Sequence, residues 1–157
     1  MSSLGFKKRY YFRPSNWVVG ITLFVLAVIG FMVVRIFEPH QSVWYIVPSL
    51  LFVALFVILF LRTPIYTEIT EDTIRIQRIV GSKNFTNIIR IQRIDRRDLD
   101  GMIRTFGNGG FFGYTGYFRS PTFGGFYMMA VNMTELALVT LESGKVYVIN
   151  YPSEDRM

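Results

Sequence analysis

Few residues in this chain could do chemistry. Cysteine is absent and histidine occurs once, at His40. That leaves no thiolate nucleophile, disulfide framework, thiolate zinc site or iron–sulfur ligand set, and no imidazole cluster to hold a metal. His40 follows Pro39 in a short polar stretch and reads as a solvated side chain. The densest acidic group is Ile94-Asp-Arg-Arg-Asp-Leu-Asp-Gly101, which carries Asp95, Asp98 and Asp100 with Arg96 and Arg97 interleaved. A divalent-cation loop would bring more oxygen ligands at alternating spacing and a closing bidentate glutamate. This run therefore reads as a solvated turn. No catalytic residue, metal ligand or cofactor is assigned.

Recognition chemistry is better represented, in Gly101 to Gly125, GMIRTFGNGGFFGYTGYFRSPTFGG, with eight glycines in 25 residues. Arg104, Phe106, Phe111, Phe112, Tyr114, Tyr117 and Phe118 stand among the glycines as a candidate interaction loop. Glycine reaches backbone angles that other residues adopt only at a cost, and aromatic rings supply area to bury. A phosphate-binding loop would need its glycines to lead into Lys-Ser or Lys-Thr and a helix, which this segment lacks. A single-strand nucleic-acid platform would set its rings beside a basic groove, yet only Arg104 and Arg119 fall inside. Three roles stay open: a folded-back connection whose rings cap a barrel, a surface for a protein partner or for self-association, and a lipid-contacting patch.

The elements that must position this segment begin with two apolar runs. Trp17–Val34 has 18 residues and Val43–Leu61 has 19, neither with an ionisable side chain other than Tyr45. At about 1.5 Å per residue each spans roughly 27–28 Å, close to the hydrocarbon thickness of a bilayer. Pro48 falls in the first turns of the second run, where a missing amide costs little. A signal peptide would show an apolar core of about 7–15 residues and a small-residue cleavage site. The first run is longer and continues into Arg35-Ile-Phe-Glu-Pro39, so it reads as an anchor. The short connection makes the two runs an antiparallel hairpin.

Charge supplies the orientation. Residues 1–62 hold six Lys and Arg against one Glu, a balance of +5, whereas residues 63–157 hold eleven against ten acids, a balance of +1. The basic residues Lys7, Lys8, Arg9, Arg13, Arg35 and Arg62 flank the runs, and only Arg35 lies in the connection, offset by Glu38. By the positive-inside rule both chain ends face the cytoplasm. A nearly neutral C-terminal part argues against nucleic acid as a partner, despite a pI near 9.8.

After residue 62 the pattern changes to strands. Ile65–Thr70 and Thr73–Ile79 alternate apolar with polar, as does Ile88–Ile94, and this is the mark of half-buried strands. Phe126–Val131, Leu136–Leu141 and Val146–Asn150 follow, the last two joined by a Glu142-Ser-Gly-Lys145 turn. Six or seven strands without an amphipathic helix predict a small antiparallel sandwich or barrel. The expected organisation is a basic tail over residues 1–16, a two-helix hairpin over 17–62 and an all-β domain over 63–157.

The run Ile103-Arg-Thr-Phe-Gly-Asn-Gly-Gly-Phe-Phe-Gly-Tyr-Thr-Gly-Tyr-Phe118, with Gly124-Gly-Phe-Tyr-Met-Met-Ala-Val-Asn132 and Leu136-Ala-Leu-Val139, resembles a bacterial pleckstrin-homology-like family. The resemblance covers roughly residues 64–152. It implies a PH-like barrel of seven strands closed by a C-terminal helix, often placed after two transmembrane helices, and it implies no enzymatic activity. Here Ser153-Glu-Asp-Arg-Met157 follows where that helix would run, so the helix is expected to be missing or truncated. The whole reads as a non-enzymatic interaction or scaffold module at a bacterial inner membrane, with both termini cytoplasmic. Its expected partners are the bilayer and a protein partner or further copies of itself. A small accessory subunit of a transporter or channel, or a lipid-headgroup-binding domain, is the alternative.

Overall fold

The computed structural model describes residues 7–39 and 42–157. His40 and the first residues of the basic tail lie outside them. Two helices, α1 (Asn16–Ile36) and α2 (Val43–Leu61), are long and apolar enough to cross a membrane, and very little of their surface is covered by protein. A core helix would hide such surface, so length and exposure together separate this pair from one. Ser15 caps α1 by accepting from the Val18 amide, and Ser42 caps α2 by accepting from that of Trp44. Pro48 lies in the second turn of α2, and Ser49 beside it is buried with its hydroxyl on the Tyr45 carbonyl at 2.8 Å.

Ten strands follow the order β1 (Lys8–Tyr11), β2 (Pro64–Ile69), β3 (Ile74–Arg78), β4 (Ser82–Phe85), β5 (Ile88–Ile94), β6 (Ile103–Gly109), β7 (Tyr114–Ser120), β8 (Gly124–Ala130), β9 (Leu136–Leu141) and β10 (Val146–Asn150). They form a four-stranded sheet ordered β1-β2-β3-β4 and a six-stranded sheet ordered β5-β9-β10-β8-β7-β6. Packed sheets of this kind after two membrane-length helices agree with the expected PH-like architecture.

Three expectations need correction. The larger sheet is not wholly antiparallel, because β8 and β10 pair in parallel from Tyr127↔Tyr147 to Met129↔Ile149. The basic tail is not all tail, because Lys8–Tyr11 pairs antiparallel with β2 from Lys8↔Ile69 to Tyr11↔Tyr66. The two helices are thus inserted between two hydrogen-bonded strands, and both ends of the helical hairpin are tied to one sheet. The Gly/aromatic segment, in turn, is no irregular connection. It contains β6, β7 and the start of β8, which raises the strand count after residue 62 to nine among the described residues. Glycine-rich strands show no apolar alternation, so periodicity could not reveal them.

The larger sheet carries an apolar core on each face. Ile74, Ile76 and Phe85 of the smaller sheet meet Met129, Val139 and Ile149 of the larger. On its opposite face the larger sheet buries Ile94, Tyr114, Phe118, Phe126, Met128, Leu136, Leu138 and Val148, with Leu99 and with Val18 of α1. Strands β8, β9 and β10 supply both cores, which explains their nearly continuous apolar sequences. No residue of β6 or β7 enters the inter-sheet core, so this pair overhangs the smaller sheet.

The last segment forms a single 3₁₀ turn, Glu154–Arg156. It is held down by Arg93–Glu154 and Arg156–Glu135 ion pairs and by Arg156 donating to the Tyr11 carbonyl. A cleft of about 720 Å³ lies between Ile69–Ile74 and Thr86–Ile91.

Candidate functional site

The overhanging hairpin β6–β7 takes its shape from glycine. Gly107 and Gly116 face each other in register, with φ of 119° and 144°. A Cβ on Gly116 would stand 2.7 Å from Gly107 Cα and nearer still to the Phe106 carbonyl oxygen. Only two glycines allow this backbone approach at these angles. The register also shifts between Arg104 and Phe106, which leaves Thr105 as the extra residue of a bulge.

At the tip, Asn108 closes the turn. Its Oδ1 accepts from the Phe111 amide at 3.0 Å and its Nδ2 donates to the Phe111 carbonyl. The tip then packs on the helices. Phe111 meets Phe56 edge-on at 4.8 Å and Phe112 meets Phe60 at 4.7 Å. The Phe112 amide donates to Thr22 Oγ1 at 3.0 Å, and Gly110 leaves room for the Ile21 side chain. Thr22 lies six residues into α1 and Phe56 five residues before the end of α2. The domain therefore touches the helices within their apolar spans.

The seven aromatic and basic candidates fall into three groups. Phe111, only 4% exposed, and Phe112 are committed to the chain's own helices. Tyr114 and Phe118 are buried in the core that Val18 of α1 joins, Phe118 stacked on Phe126. Burial raises the Tyr114 pKa, and nearby Arg96 and a hydrogen bond with Ser15 only partly oppose it. Phe111, Tyr114 and Phe118 are consumed by the fold, whereas Phe112 is only half-buried beside the helices. Arg104, Phe106 and Tyr117 remain outward, with Phe106 76% and Tyr117 57% exposed. Tyr117 continues an aromatic ladder across the larger sheet through Tyr127 to Tyr147, which meets Phe85 of the smaller sheet. Strand β6 is an edge of its sheet, so its backbone is also available for pairing.

The basic residues divide as well. Lys7 and Arg9 both pair with Glu68, at 3.0 and 3.1 Å, and Lys8 donates to the Arg156 and Met157 carbonyls. Burial would raise the Glu68 pKa, but the hydrogen bonds from Lys7 and Arg9 outweigh it and hold the carboxyl below its ordinary value. Lys7 and Arg9 thus serve the sheet. Arg35 pairs with Glu38 at 2.8 Å across the connection side. Arg13 and Arg62 lie exposed where the chain enters α1 and leaves α2.

Sequence patterns did not reveal Glu68 as the counter-ion of β1, or the buried network around Asn150. Asn150 accepts from the Val131 amide at 2.6 Å and donates to Asn132 Oδ1 at 2.8 Å and to the Thr134 carbonyl at 2.9 Å. Asn132 in turn donates to the Arg13 carbonyl at 2.6 Å, which ties the barrel to the entry of α1. The acidic run at 95–100 forms a 3₁₀ turn, Arg96–Leu99, in which Asp98 accepts from the Asp95 amide at 2.8 Å.

A family model described as a bacterial PH domain matches residues 66–151. Comparison with curated proteins and with solved structures gives no match. The matched stretch contains β2 from its third residue through β10, and leaves β1 and both helices outside it. It covers more than half of the chain, which belongs to the bacterial PH domain family.

Proposed function

We propose that the chain is a non-enzymatic interaction module that its helical hairpin holds at a bacterial inner membrane, with the barrel and both chain ends on the cytoplasmic side. PH domains are typically interaction modules rather than catalysts, and no group of three or more metal-ligating side chains occurs among the described residues. The orientation rests on Arg13 and Arg62 at the barrel-side ends of the helices, against an Arg35 already paired with Glu38.

The observation that carries the reading is the overhang: an edge hairpin with Phe106 exposed on β6 and Tyr117 on β7, held against the helices at its tip. Phe106 stands three register steps from Gly109, about 10 Å along the strand. The tip meets α1 about 9 Å from the start of that helix, so the hairpin is held beside the helix entry. A partner able to pair with β6 must then approach close to the membrane. A second membrane-bound protein chain, of this or another kind, fits that geometry through strand addition. Anchoring raises the local concentration of such partners and makes weak contacts effective.

Two measurements test this. A reporter active only in the cytoplasm should give signal when fused at residue 157 and none when placed in the 36–42 connection; the reverse pattern removes the orientation. Native-level protein, taken from its membranes in mild detergent, should have the mass of several chains or carry reproducible subunits. Phe106→Ser with Tyr117→Ser should reduce that mass and leave the fold intact. A clean monomer in the unmodified protein would refute the partner reading.

A further inference from the structure

Resting on the membrane-spanning reading, we propose that the bilayer itself is the partner of the barrel's helix-proximal end, which is seated below the lipid phosphates at two points. The first is the β6–β7 tip. Its contacts with Ile21, Thr22 and Phe56 lie about 6–8 Å inside the ends of the apolar spans, and Phe112 also meets Phe60 one residue from the end of α2. Each headgroup layer is only about 5–8 Å thick, so the tip meets the acyl boundary.

The second point is the β3–β4 turn. The Val80 amide donates to the Leu61 carbonyl at 3.0 Å and the Ile79 amide to the Thr63 carbonyl at 3.1 Å. The turn thereby caps the end of α2 and is fixed at the level where that helix leaves the membrane. Yet Val80 is 61% exposed. Ile79 and Trp17, the latter in the first turn of α1, are exposed too.

Charge sorts in the same way. The tip Gly107–Gly113 and the turn Ile79–Gly81 contain no ionisable side chain. Arg13 and Arg62 stand exposed at the helix ends, while the exposed Arg104 reaches its guanidinium down to Gly109 at the base of the tip. Apolar points below a level of arginines match the acyl boundary beneath a phosphate layer, where arginine snorkels and aromatic rings concentrate. A protein partner at this end would have to displace lipid from helices that the tip already contacts.

The absence of cysteine makes the test direct. Single-cysteine variants of the full chain, Val80→Cys, Phe112→Cys, Leu26→Cys and Thr122→Cys, are spin-labelled and placed in phosphatidylcholine–phosphatidylglycerol vesicles. Accessibility to oxygen and to a water-soluble nickel chelate then reports depth. Labels at 80 and 112 should be oxygen-accessible and shielded from nickel, the label at 26 deepest, and that at 122 fully aqueous. Val80 is exposed, so its variant carries the test even where Phe112→Cys loosens the tip. A deep label at 26 with a nickel-accessible label at 80 overturns the seating and leaves the spanning helices standing. An aqueous label at 26 overturns the spanning reading, and the seating with it.

Discussion

Replacing Gly116 by alanine is the sharpest perturbation of the hairpin. At φ 144° a side-chain-bearing residue is strained by about 1–3 kcal/mol. The added Cβ also stands 2.7 Å from Gly107 Cα and closer to the Phe106 carbonyl, both backbone atoms that no rotamer change can move aside. Overpacking of that kind costs roughly 1–3 kcal/mol more. The expected loss is about 2–6 kcal/mol, against a typical domain stability of about 5–15 kcal/mol. For a domain near 100 residues this lowers Tm by on the order of 10 °C or more. Gly125→Ala, in β8 and with nothing within 4 Å of its Cβ, is the matched control and should change stability by less than about 1 kcal/mol. Thermal unfolding of both variants in the same detergent, followed by tyrosine circular dichroism, separates them. Equal melting temperatures would show that the hairpin does not need its glycine crossing.

Glu68→Gln should flatten the acid response. The Glu68 pKa is depressed in the fold, so its contribution is present above the ordinary carboxylate range and fades as pH falls through the lowered value. The gap in Tm between the unmodified protein and the variant should therefore narrow from about pH 7 to about pH 3, and a constant gap would contradict the Lys7 and Arg9 pairing. Asn150→Ala leaves the Val131 amide and its partners on Asn132 and Thr134 unmatched in a buried site, and should cost about 3 kcal/mol or more. A loss below about 1 kcal/mol in equilibrium unfolding would mean that water or relaxation replaces those bonds.

Legibility in the sequence followed the strength of the pattern. The two apolar helices stand out because nothing polar interrupts them, and β9 and β10 because a short turn joins two apolar runs. The Gly/aromatic segment was visible as unusual but not as two strands, because glycine at 107 and 116 answers a close backbone approach, which leaves no hydrophobic period. Its seven candidates could not be sorted from order alone: Phe111 and Phe106 are five residues apart, yet a bulge and a turn send one to the helices and the other to the surface. Strand β1 escaped notice because its partner lies beyond residues 12–63, and its cations drew attention away from Tyr10 and Phe12, which are buried with Val131.

The pairing of β1 with β2 also bears on how the chain is made. Lys8–Tyr11 leaves the ribosome before the helices, and its partner Pro64–Ile69 only after both. On the proposed topology a chain in which one helix alone inserted would leave β1 and β2 on opposite faces of the membrane, so the strand pair requires the two helices to cross as a pair. Barrel completion then acts as a check on insertion. A wrongly threaded chain keeps Glu68 without Lys7 and Arg9 and leaves a bare sheet edge, and quality-control proteases can tell it from the finished product.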